Sequence, residues 1–209
     1  MEQRTADWYA ARCGKVTASR LAEILPLKSS GKWGVPRGTY MEQIIAERLT
    51  GRTEDKRRIP DLERRANLEP EARDAYSFFT DNDVELVGFV DHPTIGDAGA
   101  SPDGLVGKDG MIEIKCPDAT RHIKLLSGDD SGILKYLPQI HFQLACTGRK
   151  WCDFVSYSPF MPSDLKLFTR RIVRDEVCIK GLEDHVRIFL GEVEEKLAAV
   201  LALCQKVAA

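Results

Sequence analysis

The sequence predicts a mixed α/β fold of the α+β kind, with helices first, a run of short strands in the middle and a long helix at the end. Three observations carry that reading. Apolar residues recur at helical spacing up to about residue 79. From about Val84 the texture changes to short apolar runs punctuated by Gly, Asp and Pro, and Glu176 to Leu203 again shows an amphipathic helical period. At 209 residues the chain is expected to form one domain, residues 1–209, with a substantial core.

Taken in order, Trp8 to Leu25 reads as helix, tight turn, helix, with Thr17 and Ser19 as N-cap candidates. Residues 26–38, rich in Lys, Ser, Gly and Pro, read as a loop. Tyr40, Ile44, Ile45, Arg48 and Leu49 then follow at helical spacing, and Gly51 ends that helix. Residues 61–79 read as a further helix, which Pro70 must kink or open in its second half. Val84–Val90, Ala98–Val106 and Met111–Lys115 read as an antiparallel meander, with Lys108-Asp109-Gly110 as a hairpin turn. Ile133, Leu137, Ile140 and Leu144 mark a helix over Ile133–Cys146 stopped by Gly148. Strands over Trp151–Tyr157 and Leu165–Arg174 follow, and the helix from Glu176 closes the chain.

Hydrophobic residues make up 43% and charged residues 30%, as in a globular chain and unlike a disordered or fibrous one. A net charge of −2 argues against bulk coating of nucleic acid, which calls for a strongly basic surface, but a carboxylate cluster and a basic track can cancel in the sum. The six cysteines form no Cys-x-x-Cys pair and read as buried thiols. No leader-type apolar segment and no apolar run of about 20 residues is present, so the expected location is cytoplasmic.

The chemistry concentrates in Ser101-Pro102-Asp103-Gly104 and, ten residues after Asp103, Glu113-Ile114-Lys115-Cys116-Pro117. On a strand, residues two apart share a face, so Glu113 and Lys115 project together. With a hairpin at Lys108-Asp109-Gly110, Asp103 lies on the neighbouring strand within reach of Glu113. Hard oxygen ligands bind Mg²⁺, which lowers the pKa of a bound water and polarises a phosphoryl oxygen. Asp103 and Glu113 are therefore candidate metal ligands, with the Ile114 backbone carbonyl as a further one. Lys115 is the candidate to orient or help deprotonate an attacking water and to offset charge on phosphorus. A Pro-Asp-Gly turn beside an exposed cross-strand charge pair has the same residues. The apolar Val106, Ile112 and Ile114 around them favour the chemical reading.

Asp-(x)n-Glu-x-Lys in this setting resembles the signature of the restriction-endonuclease-like nuclease superfamily. Its flanking residues are similar to the phage lambda exonuclease branch, the YqaJ-like viral recombinases. The resemblance runs from about residue 8 to 157 and includes three outer motifs in the family's order. Trp8, Arg12, Gly14, Thr17 and Ser19 match the N-terminal motif, which implies a 5′-phosphate pocket of Arg12 and Ser19 with Thr17 beside them. Leu68-Glu69-Pro70-Glu71-Ala72-Arg73 resembles the helical Glu-x-x-Ala-Arg motif and turns Glu69 toward the metal site. Tyr136-Leu137-Pro138-Gln139 resembles the Tyr-x-x-Gln motif and makes Gln139 a support of the attacking water or of Lys115. The family's additional metal-side aspartate falls on Asp91 or Asp97, with spacing favouring Asp91.

The resemblance implies a restriction-endonuclease-like core, a central mixed β-sheet flanked by helices. It also implies a Mg²⁺-dependent exonuclease, with two metal ions per active site and Mn²⁺ as a substitute, that degrades the 5′ strand of linear double-stranded DNA and leaves a 3′ overhang. The implied setting is phage or prophage recombination in a bacterial host. A homotrimeric ring threaded by DNA and a single-strand annealing protein as partner belong to that picture. The alternatives are a structure-specific or single-strand nuclease of the same superfamily, and a non-catalytic DNA-end binding module. Arg52, Lys56, Arg57 and Arg58 are candidate DNA contacts, with Arg170, Arg171 and Arg174 as a second basic group. Glu192, Glu194 and Glu195 are candidates to face the partner. His141, a lone histidine on an amphipathic helix, reads as structural.

Overall fold

A computed structural model of the chain describes residues 2–27, 30–53 and 60–207. Helix α1 (Ala6–Arg12) starts at Thr5, whose hydroxyl accepts the Trp8 N–H, and a turn at Gly14 (φ +71°) leads into β1 (Val16–Thr17). A 3-10 turn over Ala18–Arg20 and the short α2 (Leu21–Ile24) follow; Thr17 precedes that turn but its side chain caps nothing. Helix α3 (Val35–Thr50) begins inside the expected loop, because Pro36 sits in its first turn, where a missing N–H leaves no bond unmade. Gly51, at φ +66°, ends it as expected. Helix α4 (Pro60–Thr80) runs through Pro70 without ending there.

The strands β2 (Val84–Glu85), β3 (Val90–Asp91), β4 (Ala98–Ala100), β5 (Gly104–Val106) and β6 (Gly110–Lys115) come next. They are not one meander. The chain divides them between a three-stranded sheet, ordered β1-β4-β3, and a larger sheet completed later in the sequence. After β6 come α5 (Ala119–Leu126), α6 (Ser131–Leu134) and α7 (Leu137–Thr147), then β7 (Trp151–Tyr157), β8 (Leu167–Val173) and α8 (Glu176–Val207). The larger sheet has the order β2-β5-β6-β7-β8. Its β6–β7 pair is parallel, with Glu113 opposite Phe154, because the intervening helices return the chain to its starting end. The sheet is therefore mixed, as the resemblance implies. Helix α5 had no counterpart in the expected elements; Asp118 caps it by accepting the Arg121 N–H (2.9 Å).

Helices cover both faces of the larger sheet. Ile112, Ile114, Val106 and Val155 pack with Ala72 and Tyr76 of α4, whereas Met111, Cys152 and Phe154 pack with Ile140 and Leu144 of α7 and Leu125 of α5. This alternation along β6 places Glu113 and Lys115 on the α7 face. A third cluster joins α2, α3, α7 and α8 to the small sheet through Leu21, Ile44, Phe142, Phe189 and Ala98. Two acids expected to face a partner are engaged within the chain: Glu192 pairs with Arg37 and Glu194 with Arg48, so this side of α8 is turned to α3. Among the described residues no helix is long and apolar enough to cross a membrane.

Candidate active site

The hairpin expected at Lys108-Asp109-Gly110 forms, with Gly104 opposite Ile112 and Val106 opposite Gly110. That register carries Asp103, just before β5, alongside the end of β6. Its Oδ2 accepts the backbone N–H of Ile114 at 2.6 Å. Gly104 has to be glycine here, because a Cβ would collide with the Val84 side chain on β2. Glu113, only 1% exposed, is fixed by three donors. Lys115 and Gln139 Nε2 (2.7 Å) donate to its Oε1, and Gln143 Nε2 (2.7 Å) donates to its Oε2.

Gln143 was not singled out from the sequence. The signal was available: Gln139 and Gln143 are four residues apart and so share a helix face. Its own Oε1 is buried without a hydrogen-bond partner among the described residues. Glu69 on α4 belongs to the same constellation, since Glu113, Lys115, Arg73 and Asp103 all act on it or feel its charge. Its Oε2 accepts from Arg4 Nη2 at 2.8 Å.

Burial, and then the neighbouring Glu113 charge, hold the Asp103 carboxyl well above the usual range, with Lys115 opposing. Glu69 is raised by burial, against the attraction of Arg4 and Lys115. Burial alone would lower the Lys115 ammonium, but Glu113 and Asp103 outweigh it and the pKa is raised. Lys115 is held as a cation between Glu113 and Asp103, and its ammonium donates to Glu113 Oε1.

Asp103 Oδ1 and Glu69 Oε1 accept no hydrogen bond from the described residues, and Glu113 uses three of a carboxylate's roughly four acceptor positions. Free oxygen acceptors in a crowded anionic site, without sulfur or imidazole, suit Mg²⁺ or Mn²⁺ better than softer metals. Among the described residues no three carboxylate, His or Cys groups already converge at ligand spacing; Asp103 and Glu113 are the pair that meets, with Glu69 engaged by Arg4.

The two candidates for the additional metal-side aspartate each carry an ion pair. Asp91 lies on β3, 62% exposed, paired with Lys15 at 2.6 Å, and Asp97 pairs with Arg48 at 3.1 Å. Both belong to the small sheet and its turn. Ile114 reaches the site through its N–H.

The N-terminal motif sits next to the catalytic loop. Ser101 Oγ receives Trp8 Nε1 (2.9 Å) and Arg12 Nη1 (3.2 Å), and the Arg12 guanidinium lies 4.1 Å from the Trp8 ring centre. Burial lowers the Arg12 pKa, against the attraction of Tyr40, Tyr9 and Glu47. Thr17 Oγ1 and Ser19 Oγ are 3.4 Å apart, and the Thr17 N–H donates to Tyr40 Oη (3.0 Å). Arg52 is exposed at the end of α3; Lys56, Arg57 and Arg58 lie outside the described residues. In the second basic group Arg171 pairs with Asp153, Arg174 with Glu176 and Arg170 with Asp130. His141 is buried on α7 and its pKa is lowered by burial, consistent with a structural residue.

Residues 7–150 match the family described as the YqaJ-like viral recombinase domain, a span that contains all four motifs. The chain belongs to the YqaJ-like viral recombinase family. This YqaJ-like chain is 43% identical to an alkaline exonuclease, LHK-Exo, from Laribacter hongkongensis, over 97% of its own length and 100% of the other, with a TM-score of 0.86. LHK-Exo in complex with dAMP gives a TM-score of 0.87 at the same identity and coverage. A phage related exonuclease from Haemophilus somnus 129PT shares the fold at 16% identity and a TM-score of 0.69, over 89% of this chain and 96% of that one. No curated protein matches the YqaJ-like chain.

Proposed function

We propose that this YqaJ-like chain is, as one nuclease domain, a Mg²⁺-dependent 5′-to-3′ exonuclease that degrades one strand of linear double-stranded DNA and leaves a 3′ overhang. The observation that carries it is the convergence of Asp103, Glu113 and Lys115 on one hairpin, with Gln139 and Gln143 fixing the central carboxylate. The 43% identity to LHK-Exo, an alkaline exonuclease, supports the same activity class.

Asp103, Glu113 and the Ile114 carbonyl would hold the metal, two ions per site, with Glu69 on the helix side; Asp91 would join only by leaving Lys15. Bound divalent cations supply an activated water and a polarised phosphoryl oxygen. The chain's own groups do the rest. Lys115 offsets charge building on the phosphate, Gln139 holds Glu113 and the water side of the site, and Arg12 with Ser19 and Thr17 seats the 5′-terminal phosphate. Arg52, Lys56, Arg57 and Arg58 track the duplex backbone. The family resemblance supports a homotrimeric ring and a single-strand annealing partner, in phage or prophage recombination in a bacterial cytoplasm.

The test is digestion of linear duplex DNA with Mg²⁺ or Ca²⁺, comparing 5′-phosphate with 5′-hydroxyl ends and wild type with Lys115→Ala. Mg²⁺-only digestion, faster from phosphorylated ends and abolished by Lys115→Ala, is expected. DNA-end binding without digestion under any condition would replace this reading with a binding module, and loss of the 3′ strand would overturn the polarity.

A further inference from the structure

Arg4 adopts a left-handed backbone conformation (φ +67°), a region that a long side chain rarely occupies and that Gly or Asn takes more readily. Such a residue persists only where its surroundings over-determine it, and these outliers cluster at functional sites. Here the surroundings do so on both sides. Gln3 Nε2 donates to the carbonyls of Val87 (2.9 Å) and Pro102 (2.8 Å), and Thr5 Oγ1 donates to the Glu2 carbonyl (2.8 Å) while capping α1. The segment 3–5 is thus tied to the loop that carries Asp103.

The Arg4 side chain meets Glu69 by one contact, Nη2 to Oε2, and is 48% exposed. Among the described residues its other guanidinium donors, of five in all, have no acceptor. Arg4 is the strongest attractive neighbour of Glu69, ahead of Lys115 and Arg73, yet this contact occupies only one of its donors and leaves the guanidinium half exposed. A guanidinium with open donors beside acids that serve a phosphodiester reaction suits a phosphate oxygen, which it meets in planar, two-pronged geometry.

We propose that Arg4 is a DNA-phosphate contact of the active site, presented to the substrate by the anchored segment 3–5 and resting on Glu69 when no DNA is bound. This rests on the exonuclease reading above. Arg4→Gly is the informative variant, because glycine relieves the backbone conformation and leaves the fold intact or firmer while removing the cation. Binding of a 5′-phosphorylated duplex is measured by fluorescence anisotropy in EDTA, where no hydrolysis occurs, from about 50 to 200 mM salt.

Arg4→Gly is expected to weaken binding and to reduce the slope of log affinity against log salt by about 0.9, the signature of one lost phosphate contact. Arg4→Lys should keep the slope. Thermal melting checks the fold, and Arg4→Asn replaces Arg4→Gly if the latter does not fold. An unchanged slope in a folded variant, with normal wild-type binding, overturns the assignment of Arg4 alone. Wild-type protein that fails to bind duplex ends both in EDTA and with Ca²⁺ in its place overturns the exonuclease reading, and this proposal with it.

Discussion

Gln143→Met removes one donor from the central carboxylate while keeping the side-chain volume. Glu113 is 1% exposed and Gln143 equally buried, so water cannot replace the 2.7 Å bond to Oε2. A hydrogen bond to a charged group contributes about 1.5–3 kcal/mol, or roughly 10- to 150-fold in a rate or binding constant. Loss of a residue that orients a metal ligand falls in an overlapping range, about 10- to 100-fold in metal affinity or activity. Initial rates of duplex digestion across a Mg²⁺ series should therefore show a fall of about 10- to 100-fold at limiting Mg²⁺. Circular dichroism melting confirms that the variant is folded. Gln139→Met acts on the same carboxylate, so the double variant should fall short of the product of the two single effects. A folded Gln143→Met with wild-type rate and wild-type Mg²⁺ dependence would refute the claim that Gln143 positions Glu113.

Gly110→Ala drives a methyl group into the Trp151 ring, which Arg171 covers on another side at 3.6 Å, and is expected to lower stability by about 1–3 kcal/mol; an unmoved urea midpoint would count against this packing. His141, its pKa lowered by burial, stays neutral in the fold while the unfolded chain takes up a proton below the ordinary value of about 6.5. Its contribution is present above that value and lost as pH falls below it, so stability should drop as pH falls through about 6.5 and drop less in His141→Gln. Equal pH slopes in the two proteins would exclude it.

The hairpin that carries Asp103, Glu113 and Lys115 was legible because its determinants are local: strand alternation and a Lys108-Asp109-Gly110 turn. What escaped was non-local. Nothing in the alternation of Met111–Lys115 says that its other neighbour is Trp151–Tyr157 in parallel, which depends on three helices between them. Nor can spacing from Asp103 tell that Asp91 pairs with Lys15 across the small sheet. The ion pairs of Arg170 and Arg171 were out of view for the same reason, since Asp130 and Asp153 are distant in sequence. Gln143 was readable in principle, but a helix-face argument needed to know which face meets the sheet.

A single residue, Pro102, separates Ser101, where Arg12 and Trp8 converge, from Asp103. Fully extended, the two steps of chain reach about 7 Å. The N-terminal motif and the acid beside β6 are thus joined through the polypeptide itself as well as through space, so a displacement of Arg12 or Trp8 is passed to Asp103. Pro102, with its fixed backbone angle at the middle of that link, limits how far it can stretch or shrink.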